Sequence, residues 1–155
     1  MVGFPNGYST TAAKVAETVE LIAVGADEID VVLNVTRLKE RDYDYIVDEI
    51  AALKKVCGKK VLKIIVETCL LTKEEIAVMC ELVVRGGADF IKTSTGFDSA
   101  GAKIEDVEAM REFLRGRAKI KAAGGIRTLE DAEAFIGAGA DRIGTSGIVK
   151  AVKQQ

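Results

Sequence analysis

Two hydrophobic periods alternate along the chain. Short apolar runs rich in Val and Ile recur at Glu28–Val35, Val61–Glu67, Phe90–Thr93, Lys119–Ala123 and Arg142–Thr145. Runs that are continuous rather than alternating predict strands buried on both faces, as in a parallel sheet. Val2–Pro5 reads as the end of one further strand. The segments between them carry helical spacing. The first has Ala12, Val15, Ala16, Val19, Ile22 and Ala23 on one face and ends near Gly25. The second carries Ile46, Ile50 and Leu53 and ends near Gly58. The third opens on a capping box, Thr72 with Glu75, and runs through Ile76, Met79, Cys80 and Val83 to Gly86-Gly87. The fourth holds Ile104, Val107, Met110 and Leu114, and the fifth starts at Thr128 and carries Ala132, Phe135 and Ile136. A last short helix is expected from about Ile148.

The turns repeat. Gly25-Ala26-Asp27, Gly87-Ala88-Asp89 and Gly139-Ala140-Asp141 each close a helix and open a strand. Their spacing is close to two strand–helix units, given roughly 30 residues per unit. Equivalence of every second strand is what the layered interior of a (β/α)8 barrel produces, although a doubly wound sheet can carry the same turns. The expected class is therefore α/β of the (β/α)8 TIM-barrel type. About six units are present, in a single partial barrel domain spanning residues 1–155. A full barrel has eight units and roughly 200 residues or more, so a truncated or open barrel is expected.

Composition narrows the function. With 48% hydrophobic residues in 155, a packed core is expected. A net charge of −2 with no Lys/Arg run gives no footprint for nucleic acid or a membrane surface. No apolar run reaches the roughly 20 residues of a membrane span, and no signal peptide opens the chain. The absence of histidine removes the commonest general base and metal ligand. Cys57, Cys69 and Cys80 have neither CxxC spacing nor an even count, so neither zinc nor a disulfide framework is expected. No cofactor is expected either, and a reducing cytoplasm fits best.

In this architecture chemistry sits at the C-terminal ends of strands. Asp30, Lys92 and Lys121 lie inside apolar runs, near those ends. A charge in a buried strand is costly unless it is paired or neutral. Each could be a snorkelling lysine or a structural ion-pair partner. Taken together, they also fit an amine nucleophile, Lys92, whose pKa is lowered by burial and a second cation, Lys121, with Asp30 moving protons. Gly124-Gly125-Ile126-Arg127-Thr128 and Gly144-Thr145-Ser146-Gly147 follow consecutive late strands. Tight turns need glycine anyway, but in a barrel such loops also form the common phosphate site.

The segment Asp89-Phe90-Ile91-Lys92-Thr93-Ser94-Thr95-Gly96 resembles the signature of the deoxyribose-phosphate aldolases. So do Val2-Gly3-Phe4-Pro5-Asn6-Gly7, Gly25 through Val32, and Lys121-Ala122-Ala123-Gly124-Gly125-Ile126-Arg127-Thr128. The resemblance runs from Val2 to about Val152, in family order. It implies a metal-free class I aldolase that cleaves 2-deoxy-D-ribose 5-phosphate to glyceraldehyde 3-phosphate and acetaldehyde. It also implies an imine on Lys92, a pKa-lowering role for Lys121 and a proton relay at Asp30. By the same resemblance Gly124, Gly125, Ser146 and Gly147 match phosphate-binding positions, and Thr95 and Gly96 belong to the substrate site. The family's first two strand–helix units are absent. Gly147 stands where a second serine is frequent, and Ala122 where proline is common. The alternative reading is an inactive barrel scaffold that folds by self-association and at most binds phosphate. Unpaired first and last strands would make a homo-oligomer the expected state.

Overall fold

The computed structural model describes residues 1–149. Five strands and six helices alternate: α1 (Thr11–Ala23), β1 (Glu28–Val32), α2 (Val35–Lys39), α3 (Tyr43–Cys57), β2 (Val61–Ile65), α4 (Lys73–Gly86), β3 (Phe90–Lys92), α5 (Ile104–Leu114), β4 (Lys119–Ala123), α6 (Leu129–Ala138) and β5 (Arg142–Gly144). A 3-10 turn at Thr68–Leu70 precedes α4. The strands are all parallel and lie in the order β1-β2-β3-β4-β5. Sequential order is that of a barrel wall, and it removes the doubly wound alternative, in which strand order reverses at a switch point. The expected strand at Val2–Pro5 is reduced to a parallel bridge between Val2 and Val31. The expected helix from about Ile148 lies largely outside the described residues.

The sheet is curled, and its ion pairs require this. Four strand spacings of a flat sheet amount to about 19 Å, far beyond one Arg–Glu pair. Yet Arg142 on β5 pairs with Glu28 on β1. The apolar core fills the space between the outer face of the sheet and the helices. Ile29, Val31, Leu62, Ile64, Ile91 and Ile120 belong to it, with Leu53, Met79, Val83 and Met110 from the helices. The inner face instead presents Asp30, Lys63 and Lys92, all buried.

Helix α4 begins with the expected capping box and ends with Gly87 at φ 82°. Thr128 caps α6 in the same way, with Asp131 in the reciprocal position. The repeated Gly-Ala-Asp turn has a structural cause. The Asp89 carboxylate accepts from the backbone N–H of Leu62 at 2.7 Å, and that of Asp141 accepts from Ile120 N–H at 2.8 Å. Each thus stitches the strand it opens to the strand before it.

Two local expectations are corrected. The run through Val35 is strand only to Val32, because Asn34 caps α2 by accepting from the Arg37 N–H. In α1 the covered face is not the apolar stripe. Lys14 and Thr18 are buried, whereas Ala12, Ala16, Val19 and Ala23 are exposed. Lys14 is held there by an ion pair with the buried Glu49 at 2.7 Å, which also accepts from Thr11 Oγ1 at 2.9 Å. Pairing is what makes burial of these charges tolerable.

Candidate active site

Strand register brings the three flagged charges together. Lys92 faces Lys121 across β3 and β4, and Asp30 faces Lys63 across β1 and β2. Asp30 Oδ2 accepts from Lys92 Nζ at 2.9 Å and from Lys121 Nζ at 2.8 Å. Its Oδ1 accepts from Lys63 Nζ at 2.8 Å. Lys63 also pairs with Glu28 at 2.8 Å. Around this cluster the inner face carries the cations Lys63, Lys92, Lys121 and Arg142 against the carboxylates Asp30 and Glu28. The excess is positive, which suits an anionic ligand.

Lys92 is 5% exposed. Burial is the largest influence on its amine and lowers its pKa below the ordinary lysine value; Lys121 and Lys63 push the same way, and Asp30 opposes them. For Asp30, burial alone would raise the pKa. The hydrogen bonds from Lys121, Lys63 and Lys92 outweigh it and hold the carboxyl well below the usual carboxylate range.

A cleft of about 740 Å³ opens above this cluster. Lys92, Lys121, Thr95, Gly96, Gly124, Gly125, Ser146 and Gly147 all line it. Every site residue expected from the sequence therefore faces one space, except Asp30, which lies directly behind the two amines. The two glycine loops are tied together where Thr145 Oγ1 donates to the Ile126 carbonyl at 2.7 Å. The loop after β3 docks onto the end of β4, where Ala102 N–H donates to the Ala123 and Gly124 carbonyls at 3.2 and 3.1 Å. A Cβ on Gly101 would lie 2.3 Å from the Gly124 carbonyl, so this docking requires glycine.

Two further residues join the site, Lys63 beside Asp30 and Met1 on the cleft wall. Lys63 carries the signal that marked the other charges, a lysine within Val61-Leu62-Lys63-Ile64-Ile65, and the same reasoning applies to it. Arg127 and Thr145 line the cleft from the two glycine loops expected to hold phosphate, whereas Met1 lines it without any signal in the sequence.

Residues 2–150 match the profile of a family described as DeoC/LacD family aldolase. The chain belongs to that family. It is 59% identical over its 155 residues to the deoxyribose-phosphate aldolase of Streptococcus agalactiae serotype Ia, covering 70% of that protein. To the enzyme of Streptococcus pyogenes serotype M4 it is 58% identical, again over 70% of its length. Among solved structures it matches an aldolase designated QR15 with TM-score 0.95 and 44% identity, over 99% of this chain and 71% of that one. It matches the Aeropyrum pernix deoxyribose phosphate aldolase, described as having a unique tetrameric structure, with TM-score 0.85 and 32% identity, over 99% of this chain and 65% of that one. This DeoC/LacD aldolase is thus an α/β protein with a curled, open barrel wall.

Proposed function

We propose that the chain cleaves 2-deoxy-D-ribose 5-phosphate through a Schiff base on Lys92. The observation that carries this reading is the shared oxygen. Two amines, one of them buried with a lowered pKa, meet on Asp30 Oδ2 at the floor of a cleft rimmed by glycine loops. The neutral Lys92 amine attacks the C1 aldehyde of the open-chain sugar, and loss of water gives an iminium that acts as electron sink. Carbon count selects the bond. A two-carbon aldehyde and a three-carbon phosphate from a five-carbon sugar require C2–C3 cleavage rather than C3–C4. The C3 hydroxyl gives up its proton and glyceraldehyde 3-phosphate leaves. The enamine is protonated at C2, and water then releases acetaldehyde and restores the amine.

Lys121 is the cation that helps keep Lys92 neutral, and it is placed to take or return a proton. Asp30 touches both amines through one oxygen, so it can pass a proton between them. Held so far below the carboxylate range, it does not store one near neutral pH. The N–H groups of Gly124 and Gly125 and the Ser146 hydroxyl are the donors for the phosphate, with Gly147, whose own N–H is held by Thr145 Oγ1 at 3.1 Å, beside them and Thr95 and Gly96 on the facing rim. The three thiols, which are free, suit a reducing cytoplasm.

Borohydride reduction in the presence of the sugar phosphate, followed by peptide mass spectrometry, tests the reading. A stable adduct on Lys92 is expected. The competing reading, a barrel scaffold that binds phosphate without chemistry, is favoured by the absence of a strand pairing with the outer edge of β5 among the described residues. It predicts phosphate binding with no adduct.

A further inference from the structure

We propose that Glu67 is a positioning residue that sets the Thr95–Gly96 rim of the cleft and thereby selects which backbone donor meets the phosphorylated sugar; this rests on the aldolase reading. Glu67 follows the end of β2 and is buried, at 4% exposure. Its backbone is left-handed, at φ 54° and ψ 69°, a conformation a glutamate rarely adopts without being held in it. The residues on either side hold it. Val66 N–H donates to the Lys92 carbonyl and Thr68 N–H to the Thr93 carbonyl, both at 2.9 Å. The turn is thus anchored to the strand that carries Lys92, at the nucleophile's own carbonyl and at the next one.

The carboxylate does not line the cleft. It is turned to the next loop, where it accepts from the Thr95 N–H at 3.2 Å and from the Thr95 hydroxyl. The Thr95 hydroxyl oxygen in turn accepts from the Phe97 N–H at 3.1 Å. These bonds consume the N–H groups of Thr95 and Phe97 and the hydroxyl proton of Thr95. The Gly96 N–H between them has no partner among the described residues, and Gly96 is exposed on the cleft wall at φ 88°. A neutral hydroxyl at position 67 could satisfy one of these donors. A carboxylate takes both from Thr95 and leaves Gly96 N–H as the donor offered to an acceptor oxygen of the substrate. Glu67 therefore acts through Thr95 and Gly96, upstream of binding and apart from imine chemistry.

The test compares Glu67→Ala, Glu67→Gly and Thr95→Val with the parent chain by four measurements. Loss of hydrogen bonds to a charged group predicts a KM for the sugar phosphate raised about tenfold or more in Glu67→Ala. Borohydride trapping of Lys92 by acetaldehyde, which carries no phosphate, is expected to proceed at the parent rate. Amide exchange at Thr95 should accelerate at least about tenfold as its acceptor is lost. Glu67→Gly relieves the left-handed backbone and should melt above Glu67→Ala without recovering KM, which a purely structural role would not produce. Adding Thr95→Val to Glu67→Ala should cost less than the sum of the two changes, since both act on one contact. Unchanged exchange at Thr95, recovery of KM by glycine, or equal loss of acetaldehyde trapping and sugar-phosphate turnover would overturn the proposal. A parent chain that forms no adduct at Lys92 defeats the aldolase reading instead, while the exchange rates still decide the role of Glu67.

Discussion

Three lysine amines share the Asp30 carboxylate, so that residue governs both the stability and the reactivity of the inner face. Replacing it with asparagine leaves Lys92 and Lys121 close together without their carboxylate and Lys63 with Glu28 alone. Breaking a buried pair from one side costs about 3–5 kcal/mol, which urea denaturation at neutral pH would read. The sign of the pH dependence follows from the two shifts. The Asp30 carboxyl has a lowered native pKa, so its contribution is present above the unfolded value near 4 and is lost as pH falls toward the native value. The Lys92 amine also has a lowered native pKa, so the unfolded chain holds more protons between that value and the unfolded one near 10.4. Its contribution to stability therefore rises with pH across that window. At the same residue, Lys92→Ala is expected to abolish both aldol turnover and the borohydride adduct. Because the chemistry is assigned to an amine, EDTA should leave turnover unchanged; retained activity in Lys92→Ala, or chelator sensitivity, would refute this assignment.

At the scale of elements, the loops after β3, β4 and β5 are linked in series, by Ala102 N–H to the end of β4 and by Thr145 Oγ1 to the Ile126 carbonyl. Gly101→Ala drives a Cβ into the Gly124 carbonyl at 2.3 Å. Overpacking of this kind costs about 1–3 kcal/mol, and here the strain falls on the loop that carries Gly124 and Gly125. Lower stability in denaturation together with weaker phosphate binding is expected; a stable variant with parental affinity would contradict the coupling. Ser146 sits on the adjoining loop, exposed to the cleft. Ser146→Ala removes one hydrogen bond, whereas Ser146→Asp adds like charge where a dianion is to be held. Titration calorimetry should therefore rank affinity for the sugar phosphate as parent, then alanine, then aspartate. Equal affinity of the parent for phosphorylated and unphosphorylated sugar would argue against an anion cradle there.

On the scale of the whole molecule, the wall is open. Val2 offers β1 a single bridge, and β5 pairs on one side among the described residues. The apolar stripe of α1 adds to this, with Val19 49% exposed and Val24, just past the helix end, 82% exposed. Unpaired strand edges and uncovered apolar faces both favour association. Self-association at micromolar concentration is expected, with a light-scattering mass well above the 16.6 kDa of one chain. Val19→Lys should lower that mass if α1 is part of the contact. A monodisperse monomer would refute the prediction.

The local order of the chain was legible because its causes are local. Capping at Thr72 and Thr128, glycines at helix ends and the change of hydrophobic period each act within a few residues, and the structure bears them out. The alternate-strand repeat and the charges at Asp30, Lys92 and Lys121 were legible too, since a charge in an apolar run stands out from its neighbours. Which face of α1 is covered was not legible, because Lys14 is buried by a partner 35 positions away, and periodicity counts a lysine as polar. Glu67 was hidden for a related reason: its left-handed backbone is imposed by β3 and by the loop beyond it. Most of all, sequence could place each charged residue on a strand but not the strands on a curve. The meeting of residues from four strands on one carboxylate depends on the curl of the sheet, which sums small twists over every strand pair and the packing of every helix behind it. That sum belongs to the tertiary structure, and no single stretch of the chain encodes it.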